Sequence, residues 1–348
     1  MLPLSVLDLS FVTTATSGAQ ALRNTLDLAQ LADRLGYVRY WVAEHHNLPS
    51  VASSAPEIMI GQIAALTRRI RVGSGGVMLP NHAPLAVVER FRVLEALYPG
   101  RIDLGIGRAP GTDQVTSFAL RRRQETRGED DFLDRFQEML LLANGGFPEG
   151  HPFRTVQAMP SDVPLPPIWL LGSSDYSAHL AAQIGVGFAF AHHFAHHDAQ
   201  AAMLAYRERF RPSATLSRPY AILATGVICA DSDAEAERLA ATFDLTTARR
   251  ARGEFAPLPS PEEALAYPYS DAERQRITGA RERVAVGGPA RVHERLARLV
   301  EATAADELML TSAVYDHAAR RRSYELVAEA FAASTGAGPN RTELQRVS

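Results

Sequence analysis

Short runs rich in β-branched and aromatic residues alternate with longer runs of helical period along nearly the whole chain. The strand-like runs fall at 4–12, 38–43, 70–78, 102–107, 168–171, 187–191, 221–230 and 307–314. Helical patterns follow at 21–35, 54–67, 85–97, 131–143, 174–184, 198–210, 233–242 with 290–302, and 318–332. The first shows how such a pattern is bounded: Leu22, Leu26, Ala29, Leu31 and Leu35 recur at helical spacing and stop at Gly36. A strand followed by a helix, repeated, builds parallel βαβ units whose sheet is covered on both faces. Eight such units in 348 residues predict an α/β fold of the (β/α)8 TIM-barrel type. An open doubly wound sheet would show fewer units and a glycine-rich turn after its first strand, whereas residues 12–18 read VTTATSG. The expected organisation is a single barrel domain over 1–334 and a C-terminal tail, flexible by expectation, at 335–348. A long insertion at about 251–284 interrupts the rhythm before the last helix–strand–helix and carries Pro257, Pro259, Pro261 and Pro268. Its length and prolines predict a mobile lid over the barrel mouth. A second polar stretch, 109–130, includes Arg121, Arg122 and Arg123.

Composition removes several kinds of chemistry. All 36 basic residues are arginine, so there is no ε-amine for a Schiff base, a pyridoxal phosphate anchor or a Walker-type phosphate lysine. With 39 acidic residues the formal charge is 36 − 39 = −3, which leaves no electrostatic footprint for nucleic acid or an anionic membrane. Cys229 is the single cysteine, so neither an intramolecular disulfide nor a multi-cysteine metal site is available. No apolar run reaches membrane-spanning length and the start lacks a secretory pattern, so a cytoplasmic globular protein is expected.

In a TIM barrel the chemistry gathers where strands end at the C-terminal face, so these positions carry the functional reading. Strand two ends in Glu44-His45-His46. Neighbours on a strand face opposite ways, so at most one of His45 and His46 points into the mouth, where an imidazole suits proton transfer near neutrality. Strand three runs into Gly73-Ser74-Gly75-Gly76-Val77-Met78, where the glycines serve either a bulge or the close approach of a planar ligand. Arg108, directly after the apolar strand four, needs an anion: a phosphate or a neighbouring carboxylate. Strand five passes through Ser173-Ser174 into a helix that also carries Ser177. These hydroxyls can cap the helix or, with its free N–H groups and Arg108, form a phosphate cup. Strand six ends in His192-His193, with His196 and His197 beyond. One of the first pair is expected to line a substrate pocket. Standard metal-ligand spacing is missing, so no metal site is expected.

Taken in order, these segments resemble the bacterial luciferase-like flavin monooxygenase family. Glu44-His45-His46 resembles its strand-two motif, Val72 through Pro80 its strand-three motif, and Gly100-Arg101 through Gly107-Arg108 its strand-four motif. Residues 173–185 resemble its phosphate-binding turn and helix. Asp306-Glu307-Leu308-Met309 and Tyr315 through Arg320 resemble its branch of single-chain luciferase-like oxidoreductases. The resemblance implies a barrel using reduced FMN, supplied by a separate NAD(P)H:flavin reductase. With O2 it would form a C4a-hydroperoxyflavin that oxygenates a small organic substrate by epoxidation, hydroxylation or Baeyer–Villiger insertion, as in the tailoring of secondary metabolites. It further implies that Arg108, Ser174 and Ser177, with Ser173 beside them, hold the FMN phosphate. Gly75-Gly76 would supply a non-prolyl cis peptide under the flavin ring, and His45 would handle protons. A homodimer would form through the helices after strands two and three, and Ala55, Gly61, Ala64 and Ala65 permit close helix approach there. The chain departs from the family's light-producing subunit in having Gly107 where that subunit has a reactive cysteine, and Ser173 where it has a carboxylate. The first departure weighs against light emission, and the second leaves the phosphate cup less anionic, which relaxes cofactor selection. Competing readings are an F420-dependent hydride transferase, a noncatalytic flavin-binding protein and, most distant, a metal-dependent barrel hydrolase.

Overall fold

A computed structural model of the chain describes residues 2–109, 111–121 and 131–333. The C-terminal tail expected at 335–348 and the arginine-rich stretch at 122–130 lie outside the described residues. The strands are β1 (Leu4–Asp8), β2 (Arg39–Val42), β3 (Arg71–Ser74), β4 (Val77–Met78), β5 (Ile102–Gly107), β6 (Ile168–Gly172), β7 (Gly187–Ala191), β8 (Ala221–Cys229), β9 (Val284–Gly287) and β10 (Glu307–Thr311). The helices are α1 (Gly18–Leu35), α2 (Pro56–Leu66), α3 (Pro84–Leu97), α4 (Gln114–Arg121), α5 (Phe132–Asn144), α6 (Asp175–Ile184), α7 (Ala199–Arg209), α8 (Asp233–Ala251), α9 (Pro261–Ala266), α10 (Asp271–Arg281), α11 (Pro289–Thr303) and α12 (His317–Ala333). Their ends follow local chemistry. Ser17 caps α1 by accepting the Gln20 N–H, and Gly36, at φ 82°, closes it in the left-handed region.

The strands pair in parallel in the order β10-β1-β2-β3-β5-β6-β7-β8, and β8 pairs back to β10 to close an eight-stranded barrel. Side chains alternate along each stave. On β1, Leu4 and Val6 face the helical layer, while Leu7 joins Trp41, Trp169, Ala189, Ile222 and Met309 in the barrel interior. Below that layer the interior is charged. Arg39 Nη1 lies 2.8 Å from Asp103 and its Nε 3.1 Å from both oxygens of Glu307, with the guanidinium 4.6 Å over the Trp169 ring. Tyr220 donates to Glu307 at 2.8 Å. This satisfied network plugs the floor, leaving the opposite, C-terminal end as the open one.

β9 is an addition to the barrel, since it pairs with the far end of β8, Gly226–Cys229, beyond the residues that meet β7. The stretch at 251–284 contains two helices. Ser260 caps α9 by accepting the Glu263 N–H, and Ser270 with Glu273 forms a full capping box on α10. Leu258 is tied by two 2.9 Å backbone hydrogen bonds to Val12 and Thr14 in the β1–α1 connection. The start of the insertion is thereby held across the mouth.

Candidate active site

A cavity of about 510 Å3 opens at the C-terminal ends of the staves. It brings together His45, Gly75, Gly76, Arg108, Ser173, Ser174, Ser177 and His193, residues spread over more than a hundred positions of sequence. His46 and His192 are outside its lining.

One end of the cavity is the turn from β6 into α6. Ser174 is the N-cap residue of α6, in extended backbone, and its hydroxyl makes no capping bond to the helix. That leaves the helix's first N–H groups and the hydroxyl facing the same space. Ser177, one turn in, is buried and packs directly on Gly172, where a side chain would collide with it. Arg108 comes from the end of β5 next door, exposed and stacked over the Tyr176 ring at 4.3 Å. A cationic fork, two hydroxyls and a helix N-terminus fit a phosphate.

Beside the cup lies the end of β3. The Gly75–Gly76 peptide bond is cis. A Cβ on Gly75 would stand 2.6 Å from Leu7 Cδ1, and one on Gly76 would stand 2.8 Å from the Gly105 carbonyl oxygen. Gly76 is therefore demanded by packing against the backbone of the barrel wall, and both glycines line the cavity. Of the two roles open from sequence, packing closure and ligand approach, the first is met directly and the second is left sterically free.

Glu44, which the sequence reading quoted only as part of a motif, is the hub that holds this turn. It is fully buried. Its carboxylate accepts the Met78 N–H at 2.8 Å and meets His46 Nε2 at 2.9 Å and His82 Nε2 at 3.0 Å. Burial alone would raise its pKa. The His82 contact, the His46 bond and the Met78 N–H outweigh burial and hold the carboxylate below its usual range. His46 is thus turned toward Glu44, which agrees with the alternation that sends His45 the other way.

His45 lines the cavity, and its Nδ1 is buried without a hydrogen-bond partner among the described residues. Burial, then the Arg250 charge and the neighbouring His46, push its pKa down to about 4. The ring is neutral at physiological pH. His193 also lines the cavity, 3.3 Å from the Ala224 carbonyl, and burial pushes it likewise to about 4. His192 Nε2 is buried without a partner outside the lining. Among the described residues no group of His, Cys, Asp and Glu is arranged to hold a metal ion. Cys229 is buried on β8, outside the cavity lining. Trp41 and Arg250 are among the lining residues given no site role from the sequence: the first lies in the apolar strand-two pattern, and the second falls between the helical pattern at 233–242 and the insertion.

The molecule is a closed parallel barrel with a cavity at the open, C-terminal end of its staves. The chain belongs to the luciferase-like monooxygenase family, whose model matches residues 2–307. A luciferase-like monooxygenase of Escherichia coli K12 is 43% identical over 92% of this chain and 95% of its own. The N-acetyl-S-alkylcysteine monooxygenase of Bacillus subtilis is 33% identical over 96% and 99%. The crystal structure of apo-MsnO8 superposes with a TM-score of 0.85 at 40% identity, covering 95% of this chain and 98% of that one. The fold is shared more widely. The FMN complex of the oxygenating constituent of 3,6-diketocamphane monooxygenase from Pseudomonas putida has a TM-score of 0.68 at 20% identity, covering 94% and 97%. An F420-dependent secondary alcohol dehydrogenase has 0.67 at 13%, covering 94% and 98%. No helix among the described residues is long and apolar enough to cross a membrane.

Proposed function

We propose that this chain is the oxygenase component of a two-component flavin monooxygenase. It takes reduced FMN from a separate NAD(P)H:flavin reductase and inserts an oxygen atom from O2 into a small organic molecule by epoxidation, hydroxylation or Baeyer–Villiger insertion. The observation that carries this reading is the convergence, in one largely apolar cavity, of the cup formed by Arg108, Ser174 and Ser177, the Gly75–Gly76 backbone and the neutral His45. Relatives named as monooxygenases at 33% and 43% identity support it.

Bound reduced flavin would supply the electrons and the oxygen activation. The rest falls to the protein. Arg108, with Ser173, Ser174 and Ser177, would bind the phosphate by charge-assisted and helix-terminal hydrogen bonds. The Gly75–Gly76 backbone would orient the ring system at the centre of the mouth. Trp41, Leu7 and Phe243 would keep the reacting face dry, which favours oxygen transfer over loss as hydrogen peroxide. His45 would accept or return a proton at Nδ1.

Anaerobic titration of the purified chain with reduced FMN and with reduced F420, followed by a pulse of oxygenated buffer, tests the reading. Tight FMN binding with re-oxidation slower than that of free flavin is the expected result. Preference for F420 with no oxygen consumption would replace the reading with hydride transfer. Tight FMN binding with no turnover of any compound in a substrate panel would make the chain a flavin-holding protein.

A further inference from the structure

α8 ends in two consecutive arginines with different surroundings. Arg249 pairs with Glu263 at 2.6 Å. Arg250 lines the cavity, and its hydrogen bonding among the described residues is a single contact, Nη2 to the Ser50 hydroxyl at 3.4 Å, with no carboxylate. Solvent reaches Arg250 through the open mouth, yet enough protein surrounds the guanidinium to depress its pKa, with no counter-charge to raise it. A guanidinium stays charged in any such site. The same cavity is lined by the apolar Phe11, Leu48, Phe243 and Leu258. An exposed cation at the rim of a largely apolar cavity, with no carboxylate partner among the described residues, is open to an incoming anion.

Topology places this cation far from the phosphate cup. The cup is built at the ends of β5 and β6. α8 follows β8, and Arg250 reaches Ser50, which lies between β2 and α2. Between β8 and β2 the barrel order runs through β10 and β1, the two staves opposite β5 and β6 in the ring. Arg250 therefore spans the other side of the mouth, close enough to His45 that its charge helps keep that imidazole neutral.

We propose that Arg250 anchors the substrate, and that the molecule oxygenated here is an apolar organic acid. Its carboxylate docks on the Arg250 fork. Its hydrocarbon body runs back over Phe11, Leu48 and Phe243 toward His45 and the Gly75–Gly76 turn. The two anions, cofactor phosphate and substrate carboxylate, are thereby held on opposite sides of the barrel, which leaves only the reacting ends to meet at the centre. The inference rests on the cavity being the flavin and substrate site proposed above, and it adds the class of substrate.

The test uses the full-length chain without flavin and, separately, loaded anaerobically with reduced FMN. Octanoate, decanoate and cyclohexylbutanoate are titrated against their methyl esters, with binding read from the fluorescence of Trp41 in the cavity wall. At neutral pH the acids are expected to bind roughly tenfold or more tightly than their esters, as a charge-assisted bidentate contact requires. Arg250→Gln should erase that preference, Arg250→Lys should keep part of it, and both should bind reduced FMN as the unaltered chain does. Acids that bind no better than their esters across the panel would overturn the proposal. So would an Arg250→Gln variant that loses FMN affinity as an Arg108 variant is expected to, since Arg250 would then belong to the cofactor. A chain that prefers acids but does not hold reduced FMN would leave Arg250 as an anion anchor and overturn the flavin reading instead.

Discussion

His45 and His193 share an unusual residue-level property: burial pushes both imidazoles from an ordinary value of 6.5 to about 4. Between those values the unfolded chain binds protons that the folded chain does not. Stability is therefore lost as pH falls through the interval and is fully retained above it. Thermal unfolding followed from neutrality to about pH 4.5 should show a falling midpoint, and His45→Gln should make the fall shallower. An unchanged slope in that variant would remove His45 from the account. In turnover, His45→Ala should lose activity while reduced FMN affinity stays near its original value, because the ring is proposed to handle a proton and to leave the phosphate alone. Arg108→Ala should behave the opposite way. Loss of a charge-assisted phosphate contact costs about 2 kcal/mol, or roughly thirtyfold in the FMN dissociation constant. A titration showing equal affinity would dismantle the cup.

At the scale of elements, the turn from β3 to α3 is held from outside itself. Met78 N–H, His82 and His46 all converge on Glu44 at the end of β2. Glu44→Ala would strand a buried N–H and release two imidazoles, so a stability loss of about 3 kcal/mol is expected in denaturant unfolding. Reduced FMN binding should weaken with it, because the Gly75–Gly76 backbone loses its tether; a stable variant with full FMN affinity would show that the turn holds itself. The insertion teaches a related lesson. Its prolines read as a break in regular structure, yet Pro261 sits in the first turn of α9, where proline is well tolerated, and Ser260 and Ser270 cap two helices. The capping signals were present in the sequence and were outweighed by proline count. β9 had no such signal, since three apolar residues beside a glycine become a strand only when an unpaired length of β8 is there to receive them.

For the whole molecule, α2 and α3 raise the question of assembly. Ile58 and Leu97 are 65% and 64% exposed, and Leu66 and Val93 lie exposed on the same two helices. Apolar side chains gathered on adjacent elements mark a surface for association. This is the region where family resemblance implies a homodimer, and we propose that these helices form its interface. Sedimentation of the chain should give a dimer, and the pair Ile58→Glu and Leu97→Glu should give a folded monomer. A monomeric parent chain would refute the interface.

The sequence by itself determined the alternation of strands and helices, and hence the closed barrel, because side-chain period and capping are local properties that each segment carries with it. It also marked the stave ends His45, Gly75–Gly76, Arg108 and Ser174 as places of chemistry, since residues costly to bury stand out against apolar strands. Tertiary structure decided the rest. Which histidine enters the mouth follows from a hydrogen bond to Glu44. Glu44 itself reads as unremarkable until His46, His82 and Met78 are brought around it. Arg250 lies beyond the helical pattern legible at 233–242, and only the full length of α8, reaching over β10 and β1, brings it to the lining of the cavity. Contacts between distant segments depend on register and packing, and no local pattern encodes those.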